Sequence, residues 1–218
     1  MICVVSGYRR CGTSLMMQAL NAGGMGIIYL PGLEFGNPDN NNYQPNPGGL
    51  YEVGMTQYMN AKFLRLLPDD CTIKILFDGL PFLPKRDYKI IWMSRDVEEI
   101  EASTERVDEH ILSQQEYTTL DGKHMRKGPR GLAGRDATHI TRILPFCVYR
   151  PYDQAAMDHV AGICEARSDM EVIPVRYQDV IDNPGQEFEL LKGYGLPLDV
   201  EAAAATVNPD FHRVRKAL

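Results

Sequence analysis

The stretch MICVVSGYRRCGTSLMMQAL at the start of the chain constrains the fold more than any other. Ile2 to Val5 are apolar and partly β-branched, the composition of a buried strand. From Ser14 onward Leu15, Met16, Ala19 and Leu20 recur at helical spacing, and Gly23-Gly24 supplies a stop. Between the two lies a loop bracketed by Gly7 and Gly12 that carries Arg9 and Arg10. A strand, a glycine-rich turn and a helix N-terminus in succession direct backbone N–H groups and the positive end of the helix dipole at one point, which suits an anion. The same pattern can also serve as a tight turn and nothing more.

The rest of the chain repeats the strand–helix alternation. Further strands are expected at Gly26–Leu30, Cys71–Phe77, Tyr88–Ser94 and Met170–Tyr177. Helical patterns cover Glu52–Leu67, Arg95 to about Gln115, Ala137–Leu144, Tyr152–Arg167, Gln186–Tyr194 and Val200–Val207. Alternation of this kind predicts an α/β fold of three layers, a parallel sheet of about five strands with helices on both faces. Ligands in such sheets sit at the carboxyl ends of the strands. The opening loop lies at such an end, and so does Arg95 after the strand ending at Ser94. Two segments, about 32–51 and 118–136, are rich in Gly, Pro, Asn or basic residues and read as mobile loops of one domain spanning 1–218.

Composition narrows the function. With 29 acidic against 23 basic residues the net charge is −6, which argues against a broad nucleic-acid surface but permits a local basic pocket. No apolar run approaches the ~18 residues of a membrane span, and a strand beginning at residue 2 leaves no room for a signal peptide, so no membrane partner is expected. The five cysteines, Cys3, Cys11, Cys71, Cys147 and Cys164, are scattered and odd in number, which predicts reduced thiols in a cytoplasm.

GYRRCGTS has the Gly-x4-Gly frame of a P-loop, but Thr13 stands where a nucleotide kinase carries lysine. A phosphoryl-transfer loop without that lysine lacks the charge that accompanies the moving group. Arg10-Cys11-Gly12-Thr13-Ser14 resembles instead the 5′-phosphosulfate loop of the sulfotransferases, a basic residue, a small residue and then Gly-Thr-Ser/Thr. That family's second motif, a strand ending in Arg with Ser eight residues on, is matched by Arg95 and Ser103. NPGGLYE (46–52), IKILFDGLPFLP (73–84), VRYQDVIDNP (175–184) and VNPDFHRVR (207–215) are similar to segments of bacterial sulfotransferase-like proteins and, more distantly, of tyrosylprotein sulfotransferases. The resemblance covers essentially the whole chain.

It implies a P-loop NTPase-like fold. It also implies transfer of a sulfuryl group from 3′-phosphoadenosine 5′-phosphosulfate (PAPS) to a hydroxyl or amine, leaving 3′-phosphoadenosine 5′-phosphate (PAP), without a metal. Arg10 would grip the phosphosulfate; Cys11, Gly12, Thr13 and Ser14 would donate to the 5′-phosphate; Arg95 and Ser103 would hold the 3′-phosphate. Arg9 faces the same anion or solvent, and Lys74 either supports the leaving group or marks a strand edge. Three carboxylates compete for the role of base: Glu34, placed first by its spacing from the loop, Glu52 and Asp78. Tyr177 and Asp179 read as braces of the sheet edge, and Arg126-Lys127-Gly128 as a basic lid or a solvated loop. A thiol at Cys11 suggests that oxidation would block the loop. A small-molecule kinase and a nucleotide-binding module without turnover are the competing readings.

Overall fold

The computed structural model describes residues 1–28, 61–113, 117–120, 123–126 and 152–208. In chain order these form β1 (Ile2–Gly7), α1 (Thr13–Ala22), α2 (Ala61–Arg65), β2 (Thr72–Lys74), a 3₁₀ helix (Phe77–Phe82), β3 (Tyr88–Ser94) and α3 (Val97–Ser113). There follow β4 (Tyr117–Leu120), β5 (Lys123–Arg126), α4 (Gln154–Glu165), β6 (Met170–Arg176), α5 (Tyr177–Asp182), α6 (Pro184–Gly193) and α7 (Val200–Ala205). None of the described helices is long and apolar enough to cross a membrane.

Four strands make a parallel sheet in the order β2-β1-β3-β6. β1 sits inside it, pairing Val5 with Lys74 on one side and Ile2 to Gly7 with Tyr88 to Met93 on the other. All six of its residues are buried, which is why its sequence is a continuous apolar run rather than an alternation. The period of two nevertheless sorts its side chains. Cys3 and Val5 join a core with Met16, Met17 and Leu20 of α1 and Phe188 and Leu191 of α6. Ile2 and Val4 join another with Leu64, Leu80, and Val160 and Cys164 of α4. Helices thus cover both faces, as the alternating sequence requires. Each fully buried side chain of this size contributes about 1.5–3 kcal/mol.

The strand order fixes where a ligand can sit. From β1 the chain moves to β2 on one side, then returns past β1 to β3 on the other. The connections leaving β1 and β3 therefore diverge, and a crevice opens between their carboxyl ends. The loop from Gly7 to Gly12 and the Ser94-Arg95 junction flank that crevice.

Several expectations are corrected. Only four of the expected five strands form in the described chain. Gly26–Leu30 is reduced to one parallel bridge, Ile27 to Thr72, flanked by Thr72 N–H to Gly26 O (2.7 Å) and Ile28 N–H to Thr72 O (2.9 Å). Glycines at 24 and 26, the former with φ +88°, leave too short an extended run for a ladder, and residues 29 and 30 lie outside the described chain. β2 stops at Lys74 because Gly79 and Pro81 bend FDGLPF into a 3₁₀ helix. Within the expected loop 118–136, residues 118–120 and 123–126 belong to an antiparallel hairpin, Tyr117 opposite Arg126. The signal is Asp121-Gly122, a strong hairpin dipeptide between strand-forming runs. α5 is an extra helix where the sequence suggested only a strand end and a turn. The loop 32–51, the first part of the helix expected over Glu52–Leu67, and Ala137–Leu144 lie outside the described residues.

Candidate functional site

The loop joining β1 to α1 is held in shape by close approach. A Cβ on Gly7 would lie 2.4 Å from the carbonyl oxygen of Met93, so only glycine lets the end of β1 run this near β3. Cys11 N–H turns back to Tyr8 O (3.3 Å), and left-handed conformations follow at Arg10 (φ 68°) and Gly12 (φ 90°). Among the described residues Arg10 and Asp70 alone adopt positive φ without being glycine. A left-handed arginine costs roughly 1–2 kcal/mol and persists only where its surroundings enforce it. Gly12 is also the N-cap of α1, and it has no side chain with which to cap the first turn. No capping side chain at Gly12 therefore covers the first-turn N–H groups, the arrangement in which helix N-termini bind anions.

The surroundings that enforce Arg10 are the other motif. Arg10 Nε donates to Ser103 Oγ at 3.0 Å, bridging the loop to α3. Arg95 donates through a terminal guanidinium nitrogen to the carbonyl oxygen of Arg10 at 3.1 Å and through Nε to Glu99 Oε2 at 2.8 Å. Both side chains of that Arg95–Glu99 pair are about nine-tenths buried (8% and 10% exposed), one helical turn apart. The guanidinium of Arg95 lies 4.3 Å from the centre of the Tyr177 ring. Gly12 packs on the other part of that ring, where an added Cβ would meet Tyr177 Cδ2 at 2.2 Å. Burial pushes the Tyr177 phenol upward, while Arg95 pulls against the shift. Tyr177 therefore belongs to the site, not to the sheet edge alone. Its role rests on contacts between segments 80 or more residues apart in sequence (85 residues separate Arg95 from Arg10), which no local pattern announces. Asp179, by contrast, faces Arg176 at 3.8 Å in an exposed pair.

Lys74 reaches the loop from the neighbouring strand. At the last position of β2, with only 3% of its surface exposed, it donates Nζ to Ser14 Oγ at 3.0 Å. The carboxyl end of the sheet thus gathers Arg10, Ser14, Lys74, Arg95 and Ser103, drawn from the loop, α1, β2, the junction after β3 and α3. Thr13 and Ser14 are buried in the first turn of α1, and Arg9 is exposed. Asp78 is exposed in the first turn of the 3₁₀ helix. Glu34, Glu52 and Lys127–Arg130 lie outside the described residues, while Arg126 ends β5.

Cys11 corrects an expectation. It is 1% exposed, and burial pushes its thiol up to about 12, so it stays protonated and poorly reactive near neutral pH. Oxidative blocking of the loop through Cys11 is not supported. Cys11 and Arg95 also line a cavity of about 400 Å³, bordered by Trp92 and Tyr152. Among the described residues no group of three or more His, Cys, Asp or Glu side chains is placed to hold a metal ion.

No protein-family model matches the chain, and no curated protein is significantly similar to it.

Proposed function

We propose that the protein transfers a sulfuryl group from PAPS to a hydroxyl or amine acceptor. The observation that carries this reading is the convergence of Arg10, Ser103 and Arg95 on one left-handed loop at the sheet's switch point. A donor with phosphate at both its 5′ and 3′ positions needs two anion contacts held at a fixed separation. Here the loop and the start of α1 serve the first, and Arg95 and Ser103 on the adjoining element serve the second. A kinase has no use for the second.

The chemistry follows from what these groups can do. The loop N–H groups, Ser14 and Arg10 hold the phosphosulfate in line with the acceptor. The acceptor oxygen or nitrogen attacks sulfur, the bond from sulfur to the bridging oxygen breaks, and its electron pair stays on the 5′-phosphate, giving PAP. Lys74, placed at Ser14, supplies positive charge where that oxygen becomes anionic. The acceptor's proton passes to a carboxylate, for which Glu34, Glu52 and Asp78 stand as candidates. Lys74 at the hydroxyl of Ser14 also takes the place that a loop serine gives to magnesium in phosphoryl transfer, which favours a reaction run on fixed cations.

The same lysine is the observation that favours the second reading, since it restores to the loop the charge that Thr13 omits. Calorimetric titration with PAP, and with ATP and magnesium, separates the two. Metal-independent binding of PAP that falls at least tenfold in Arg95→Ala supports sulfuryl transfer. A preference for ATP with magnesium, unaffected by the substitution, would replace it with a kinase.

A further inference from the structure

The cavity beside the loop has a character opposite to that of the loop. Its volume, about 400 Å³, lies within the range of about 300–1,000 Å³ usual for small-molecule sites. Trp92, Tyr152 and Met157 supply flat and apolar wall, while Asp96, Gln154 and Asp158 supply acceptors. The polar groups along α4 form a chain: the Tyr152 hydroxyl donates to Gln154 Oε1 at 2.7 Å, and Gln154 Nε2 donates to Asp158 Oδ1 at 2.5 Å. This fixes the Asp158 carboxylate on the wall. Asp96 accepts from the Glu98 N–H at 3.0 Å with one oxygen and caps α3. Among the described residues Arg95 is the one cationic side chain bordering the space, and it pairs with Glu99. Among the described lining residues the wall is therefore aromatic, with two carboxylates against the one guanidinium that it shares with the loop.

We infer that this cavity is the acceptor site and that it selects an acceptor bearing an ammonium group on a flat apolar body, with Asp158 as the ammonium contact. The inference rests on the sulfuryl-transfer reading for the word acceptor, but the cavity's selectivity stands on its own lining. Cys11 and Arg95 belong both to the loop's anion site and to the cavity's lining, so an acceptor held in the cavity adjoins the donor, and Asp96 and Asp158 disfavour a further anion there. A ring between Trp92 and Tyr152 gains aromatic contact, and a cation near those faces and the Asp158 carboxylate gains charge-assisted attraction. An uncharged molecule of the same shape gains only the first.

Trp92 is the single tryptophan of the chain and borders the cavity, so its fluorescence reports occupancy without turnover. Tyramine and its neutral counterpart 4-ethylphenol are titrated while Trp92 is excited at the red edge of its absorption, where both phenols are dark. The inference expects tyramine to perturb Trp92 at about tenfold lower concentration than 4-ethylphenol. In Asp158→Asn that preference should vanish, while calorimetric PAP affinity stays at its wild-type value and vouches for the fold. Equal affinity for the two phenols, or a preference that survives Asp158→Asn, would overturn the ammonium contact. Competition between PAP and tyramine for the Trp92 signal would overturn the acceptor assignment by placing the nucleoside in the cavity. Binding of PAP with no response to either phenol would refute the inference and leave the sulfuryl-transfer reading standing. Selective tyramine binding without PAP binding would do the reverse.

Discussion

Lys74 is the residue on which the proposed reaction turns. A lysine with 3% of its surface exposed is expensive to bury, and Ser14 Oγ, accepting from it at 3.0 Å, offsets part of that cost. Replacing a whole buried charge pair by apolar residues is often neutral or stabilising, whereas removing one partner alone is costly, so stability by itself does not report what the lysine is for. In Lys74→Met the single-turnover rate of transfer is expected to fall by about 10²–10³, the effect of losing one preorganised charge at the leaving group. PAP affinity should change far less than the rate. A stable and fully active Lys74→Met would show that the lysine only fills space. In the sequence Lys74 could be read as a strand-edge residue, because nothing local distinguishes a lysine that ends a strand in solvent from one that ends it against a loop 60 residues away. Arg10 and Ser103 were legible because each stands in a short motif. Their mutual hydrogen bond was not, since it spans 93 residues.

At the scale of elements, the turn between β1 and α1 is set by Tyr177 at the start of α5. The ring of Tyr177 lies against Gly12 on one part and under the Arg95 guanidinium, so the N-cap of α1, the end of β3 and the start of α5 lock together. Gly12→Ala meets two penalties: a left-handed backbone, worth about 1–2 kcal/mol, and a Cβ that would sit 2.2 Å from the ring, worth about 1–3 kcal/mol as overpacking. We expect a loss of about 2–5 kcal/mol in urea unfolding. In the background of Tyr177→Ala the same substitution should cost only the backbone share, so the double-mutant cycle gives a coupling of more than about 1 kcal/mol. Additive losses would show that the ring yields freely. The strand–loop–helix order that produces this joint was readable from the sequence, because a buried run, two glycines and a helical spacing are local signals. α5 was missed because six residues that begin immediately where a strand ends carry too little periodicity to declare a helix. The edge strand expected at Gly26–Leu30 is seen in its described part as a parallel bridge to β2, since apolar β-branched residues signal extension while the number of ladder bonds depends on the neighbouring strand.

Across the whole molecule the two ends of the sheet divide the work. The carboxyl end keeps its cations near a loop that can receive an anion. The amino end is tied shut by Asp169, which accepts from the Arg86 N–H at 3.1 Å and from Arg167 at 2.6 and 3.0 Å. Arg167 in turn donates to the carbonyls of Leu83 and Pro84 (2.8 and 3.1 Å), and Arg86 to those of Leu64 and Leu67 (3.3 and 2.8 Å), so one carboxylate organises the entry to both β3 and β6. The hydrogen bond from Arg167 holds the Asp169 carboxyl down at about 2, against roughly 3.9 for an unfolded aspartate. A carboxyl depressed in the folded state stabilises the fold fully above the unfolded value, and that contribution is lost as pH falls from about 4 towards 2. Asp169→Asn is accordingly expected to cost about 1–2 kcal/mol near neutral pH, after allowance for partial solvent screening. The gap between variant and wild type in urea unfolding should then close progressively over that acid window. PAP affinity near neutral pH should be unchanged, because the clamp lies at the end of the sheet opposite the loop. A gap that persists undiminished to the acid end of the window would mean that Asp169 acts through shape and hydrogen-bond count, with its charge irrelevant; a fall in PAP affinity would mean that the two ends of the sheet are mechanically coupled.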